Sequence, residues 1–355
     1  MSKTFINEDS TIIDKYIYSQ FIPYVNLKQI IDPVLSTLDK PILNVYIDLY
    51  SMIMPLYGFY NYINPLSLTS CMVNAAIHYR NFLSKYNIYS NIFLIYSPTM
   101  SSSNLRFVPE YNSANIEKMV HNSEVRNLVD QNLTLLGTVT PYLPDIFFRI
   151  GTVEVSVIMA DMMTGFESRG FHTNHLVISS SPIAFQIPSL VPNAYVFCKR
   201  RNGDLLVITK DNVLQQALAY TKNQFIDLSY LNQSWLSGFY TLSGLEKRNV
   251  KSLASYKTTI KILEKMQFDH ELMNPDSLVN AYISNYTGKK KDIGSLASQI
   301  HNRFKCFDLI QQLLIYNLLP ESKEISYLTQ LQNLQELLHL NELYFKDNPM
   351  QLDKL

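Results

Sequence analysis

The sequence predicts an α/β fold, a central and mainly parallel sheet flanked by helices, followed by a helical C-terminal half. Three observations carry that reading. Residues 41–48 are a short apolar run ending in an acid, 66–86 have helical periodicity, and 92–96 are a second apolar run. Strand, helix, strand in that order requires a crossover and so parallel pairing. The alternation returns with a helix at about 153–168 and a strand at 175–180, then a strand pair around 193–208 that turns at Arg201-Asn202-Gly203-Asp204. After about residue 212 no convincing strand pattern persists. Amphipathic stretches near 256–267, 294–318 and 324–345 follow, with breaks at Pro275 and Pro320.

These segments divide the chain into an N-terminal extension (1–40), an α/β domain (41–212) and a helical region (213–355). A length of 355 residues can bury a large core and suits one large domain or two coupled ones. Residues 285–293, with Lys289, Lys290 and Lys291, read as a basic linker. Leu309, Leu313, Leu314 and Leu318, then Leu328, Leu331, Leu334, Leu337, Leu338 and Leu340, supply wide apolar faces. They pack on the core or leave a face for a partner.

The 30 basic and 30 acidic residues cancel, so attraction to nucleic acid has to come from local patches. Only 17% of residues are charged while 47% are hydrophobic, a balance that leaves room for a permanent protein partner. Cys71, Cys198 and Cys306 have no metal-like spacing, and three cysteines make no disulfide framework, which suits a reducing compartment. No apolar run reaches the roughly 18 residues of a membrane span. The first residues lack the apolar core of a signal peptide. An intracellular protein without a membrane is expected. His172 and His175 have no Cys or acidic neighbour in sequence and read as structural. Phosphate-loop, nucleophile-elbow and Cys-x-x-Cys motifs are missing, and the 10 glycines leave little material for phosphate-cradling loops.

Asp48 closes the first strand, where ligands collect at the carboxyl ends of parallel strands. It reads as a metal ligand, or as a helix N-cap or turn aspartate. Glu154 opens the helix at 153–168 as a vestigial ligand or as an acid suited to the helix dipole. Asp161 lies one turn beyond Val157, facing the same side or solvent. Lys247, Arg248, Lys251, Lys257 and Lys261 crowd one stretch, and Lys199, Arg200 and Arg201 another. Each group is a phosphate-binding patch or an ordinary solvated face.

Taken in order, these pieces resemble the 5′-nuclease superfamily of PIN-like fold, the flap endonucleases and phage-type 5′→3′ exonucleases. An Ile47-Asp48 strand end, Pro109-Glu110-Tyr111-Asn112-Ser113-Ala114-Asn115 after Arg106, Glu154 opening a helix, and Ser179-Ser180-Ser181 with Gln186 follow the family order. Leu242-Ser243-Gly244, Asn249 and Lys257-Thr258 follow its helix-three-turn-helix, at about 240–265. The resemblance covers roughly residues 40–265 and implies a divalent-metal nuclease that grips duplex DNA through the hairpin.

The acids of that family are mostly replaced here. Tyr96-Ser97 stands at the end of the second strand, and Ser156, Val157, Ser181 and Ile183 occupy further acidic positions. Asn112 and Asn115 replace the arch Lys and Arg. Leu245 and Arg248 replace hairpin acids, and Ser252, Ser255 and Tyr256 replace hairpin glycines. Asp48 and Glu154 alone hold at most one weakly bound Mg²⁺, too few ligands for a two-metal clamp. The expectation is a catalytically degenerate member with no resident cofactor. It binds branched or duplex DNA, or scaffolds a protein partner, in a viral replication or transcription assembly inside a host cell. A purely structural interaction subunit and a residual metal-dependent nuclease are the alternatives.

Overall fold

The computed structural model describes residues 42–53, 64–97, 107–111, 122–151, 153–171, 173–191, 193–199, 205–222, 226–285 and 293–316. The 324–345 stretch, the 1–40 extension and Lys289–Lys291 lie outside the described residues.

Six strands form one sheet: β1 Ile42–Asp48, β2 Tyr89–Tyr96, β3 Ile146–Ile150, β4 Asn174–Ile178, β5 Ala194–Lys199 and β6 Leu205–Ile208. Their order is β3-β2-β1-β4-β5-β6. The first five run parallel and β6 returns antiparallel to β5. β1 is the innermost strand, and every residue from Leu43 to Asp48 is buried, because helices cover both faces of a parallel sheet. The chain lays β2 and β3 on one side of β1 and β4 and β5 on the other. The switch point therefore opens a crevice beyond the carboxyl ends of β1 and β4.

The helices in chain order are α1 Leu49–Ile53, α2 Pro65–Ser84, α3 Ser123–Val139, α4 Val155–Ser168, α5 Ile187–Leu190 and α6 Val213–Lys222. The C-terminal set is α7 Leu236–Ser243, α8 Tyr256–Phe268, α9 Pro275–Asn285, α10 Ile293–Phe307 and α11 Leu309–Ile315. Asn64 caps α2 by accepting from the Leu66 amide, with Pro65 at the first position, where a missing N–H costs nothing. Pro275 likewise begins α9.

Three features depart from the sequence reading, which assigns no element to α3. β3, Ile-Phe-Phe-Arg-Ile, has no counterpart in that reading; it is a five-residue edge strand that contains Arg149 and exposes Phe147. The expected single helix at 294–318 is two. Asp308 accepts from the Gln311 amide and starts α11 afresh after α10 ends.

Across the sheet, Tyr46, Phe93 and Phe147 are register partners on β1, β2 and β3 and stack at 5.0 and 5.2 Å between ring centroids. The core runs without interruption from Leu43 into Leu313, so the helical half shares the core of the sheet. Cys71, Cys198 and Cys306 are free thiols buried in α2, β5 and α10. Among the described residues no helix is long and apolar enough to cross a membrane.

Candidate functional site

Asp48 ends β1 at the crevice and is 2% exposed. Its Oδ1 accepts the Ser51 amide at 3.0 Å, while Oδ2 accepts the Ser51 hydroxyl at 2.5 Å and the Ser179 hydroxyl at 2.6 Å. The carboxylate thus binds the first turn of α1 and ties it to the end of β4.

Glu154 precedes α4 but makes no side-chain capping bond. It turns into the crevice instead. Oε1 accepts the Ser181 hydroxyl at 3.0 Å, and Oε2 accepts the Tyr111 hydroxyl at 2.7 Å. Ser181 is the hub of this network. Its hydroxyl accepts from Ser156 at 3.1 Å and from Arg248 Nη2 at 3.3 Å while donating to Glu154, which uses its one donor and both lone pairs. The Ser181 amide donates to Ser179 Oγ at 3.0 Å, so a chain of hydrogen bonds runs from Asp48 to Glu154. Val157 and Ile183 are buried beside it and close off space in which a carboxylate would need solvation or a cation.

Arg248 corrects its sequence grouping with the hairpin lysines. It ends a single 3₁₀ turn, Glu246–Arg248, and its guanidinium points into the crevice rather than out to solvent. Nη2 lies 3.5 Å from Glu154 Oε1, and the guanidinium carbon stands 5.8 Å from the centre of the Tyr111 ring. Burial opposes its charge, but Tyr111, Glu154, Tyr50 and Asp48 more than offset this and hold the pKa above the ordinary arginine value. Burial, then the negative charge of Glu154, pushes the Tyr111 hydroxyl far up, so it remains a donor to Glu154. Sequence reasoning passed over Tyr111. Its only signal was its place after Pro109-Glu110, beside residues whose family roles concern the arch.

The divalent ions implied by the fold family do not fit this set. Asp48 and Glu154 supply two carboxylates whose oxygens already accept from four hydroxyls and an amide and face a guanidinium. A guanidinium in the ligand shell repels a cation by several kcal/mol at an effective protein dielectric of about 20. Among the described residues, no three His, Cys, Asp or Glu side chains are grouped to hold a metal.

The hairpin carrying Arg248 is α7, an irregular loop and α8. Gly244 has φ +69, and a Cβ there would stand 2.6 Å from the Val250 carbonyl oxygen, so glycine is required. Leu245 and Val250 then bridge, with Asn249 left-handed at φ 65 between them. Ser255, at a family glycine position, caps α8 by accepting from the Thr258 amide. The loop carbonyls also have partners. Arg303 donates to Lys251 O at 2.7 Å and the Tyr282 hydroxyl to Leu253 O at 3.0 Å.

Lys251, Lys257 and Lys261 are exposed on the loop and α8, and Lys265 extends the row by one more turn. The side chains of Lys247 and Lys199, and residues Arg200 and Arg201, are outside what the structure describes, as are Arg106, Asn112, Asn115 and His172.

The remaining candidates are built into the frame. Gln186 donates to Phe307 O at 2.6 Å and accepts from the Leu309 amide at 3.1 Å, bridging the break between α10 and α11. Asp161 lies near Arg149 rather than in the crevice, and burial raises its carboxyl to about 6. His175 is buried between Tyr46 and Glu167, and loss of solvation lowers it to about 4. A groove of about 720 Å³ opens elsewhere, at the β3 edge among Tyr142, Phe147, Met162 and Phe166.

The sheet order, the crevice at its switch point and the helical half together make a 5′-nuclease-like fold. Among solved structures, the chain is similar to the T5 D15 protein co-crystallised with metal ions, at 11% identity and a TM-score of 0.51, covering 79% of this chain and 96% of that one. It is similar to a bacteriophage T5 D15 flap endonuclease pseudo-enzyme–product complex with DNA and metal ions, at 13% identity, 83% and 98% coverage and a TM-score of 0.52. T5 5′-exonuclease with bound zinc gives 13% identity, the same coverages and a TM-score of 0.54. No protein-family model matches the sequence, and no curated protein does so.

Proposed function

We propose that the protein is a non-catalytic 5′-nuclease-like subunit that binds nucleic acid through its helical half and scaffolds a viral replication or transcription assembly. The observation that carries this reading is the Arg248 guanidinium lodged against Glu154 and Ser181. Hydrolysis by two metals needs cations about 3.5–4 Å apart, held by several carboxylates with free lone pairs. Here serines stand at two of the positions, and an arginine neutralises the carboxylate beside them.

What remains suited to nucleic acid is the outer surface of the hairpin. Lys257, Lys261 and Lys265 recur every fourth residue on the exposed side of α8, with Lys251 on the preceding loop. A similar T5 flap endonuclease is seen in complex with DNA and metal ions, which supports nucleic acid as the partner, and the phage origin of the similar structures supports a viral setting.

Binding to branched or duplex DNA is the test. Affinity should fall steeply with salt, and the paired change Lys251→Glu and Lys257→Glu should weaken it tenfold or more and lower the slope by about two. Neither Mg²⁺ nor Mn²⁺ should bring cleavage. Cleavage that disappears in Asp48→Asn overturns the reading. No binding at low salt favours the purely structural alternative, which has its own observation in the exposed Tyr142 and Phe147 beside the β3 groove.

A further inference from the structure

We infer that Arg248 is a resident cation standing in for the divalent ions of this fold, fastening the α7–α8 hairpin to the crevice so that its position needs no metal. The inference rests on the non-catalytic reading and adds a positive role for the two surviving carboxylates.

Three observations point the same way. Glu154 bypasses the helix start it could cap and directs both oxygens into the crevice, where they meet Arg248, Ser181 and Tyr111. The first turn of α4 is buried with it, so the carboxylate has no solvent to fall back on and these partners compensate its charge. Arg248 is delivered by a built turn rather than a loose side chain, as the 3₁₀ turn Glu246–Arg248 is closed by left-handed Asn249 and the Leu245–Val250 bridge. The crevice also balances in charge terms through two surfaces at once. Glu154 belongs to the sheet side and Arg248 to the hairpin, so the ion pair spans the two halves of the molecule. Buried carboxylates demand a compensating cation, and a side chain meets that demand without a free ion.

The consequence is reciprocal. With Arg248 present, added divalent ions gain nothing; with it removed, Asp48 and Glu154 face each other's field uncompensated and a hydrated divalent ion becomes the available substitute.

Melting of the full chain with EDTA or with millimolar Mn²⁺, beside titration of Mn²⁺ followed by its electron-paramagnetic signal, tests this. Wild type should melt alike in both buffers. Arg248→Ala should melt about 5 °C or more lower in EDTA, recover at least half of the loss in Mn²⁺, and bind one Mn²⁺ at least tenfold more tightly than wild type. Arg248→Lys, which keeps the charge, should show no Mn²⁺ response. If Arg248→Ala stays unfolded in both buffers, Arg248→Lys decides, and a Mn²⁺-stabilised Arg248→Lys overturns the inference. So does a folded Arg248→Ala indifferent to Mn²⁺, or a wild type that Mn²⁺ stabilises. Failure here leaves DNA binding untouched, whereas no DNA binding at low salt would defeat the function reading while leaving these melting curves as they are.

Discussion

Half-buried Asp161 and buried His175 pull stability in opposite directions as pH falls. His175 is lowered to about 4 from 6.5 by lost solvation, so below about 6.5 the unfolded chain takes up its proton first and folding weakens down to about 4. Asp161 is raised to about 6 from 3.8, so between those values the folded chain binds the proton first and folding strengthens as pH falls. Asp161→Asn removes the second effect. It should stabilise the protein at neutral pH by about 1–2 kcal/mol and steepen the loss of stability between pH 7 and 5. Urea midpoints at the two pH values measure this, and an unchanged slope would refute it. Asp48 and Glu154 were legible in the sequence as strand-end and helix-start acids. Arg248 was legible only as one more charge in a basic run, because which way a turn residue faces depends on the 3₁₀ turn and the bridge around it.

At the scale of elements, the hairpin loop shows which of its residues the backbone geometry dictates. Leu242-Ser243-Gly244 matched, and Gly244 has the one backbone conformation and close approach that exclude a side chain. Gly244→Ala should cost about 1–3 kcal/mol from its positive φ alone, with the Val250 contact adding to that. Thermal melting would show the loss, and a neutral result would mean the loop shifts freely. Ser255 could replace a glycine because a serine before α8 gains a cap. β1 and β2 were readable as apolar runs, whereas β3, only five residues long and interrupted by Arg149, was not. The break at Asp308 was also hidden. A capping aspartate and the Gln186 side chain restart the helix inside an unbroken leucine pattern.

For the whole molecule, parallel order and a helical second half follow from the spacing of apolar runs, and both are seen in the sheet order. The sequence reading divided the chain at about residue 212, but one apolar cluster extends from Leu43 to Leu313 across that point. A shared core unfolds as a unit, so calorimetry should give a single transition whose calorimetric and van't Hoff enthalpies agree. Two separated transitions would show that the halves are thermodynamically independent. The departures from the resemblance could be noticed one at a time in sequence. The meeting of serine hydroxyls, Glu154 and an inward arginine required the fold, because residues 154, 181 and 248 come together only there.

The three buried thiols give this molecule internal reporters of opening. Cys71 lies in α2, Cys198 in β5 and Cys306 in α10, where burial, then the charge of Glu154, raises its thiol well above the usual range. A thiol reagent reaches each one only when its own layer parts, so the labelling rate at Cys306 follows detachment of the C-terminal helices and the rate at Cys198 follows opening of the sheet. With no substitution at all, the order in which the three sites are labelled would trace how the folded protein comes apart.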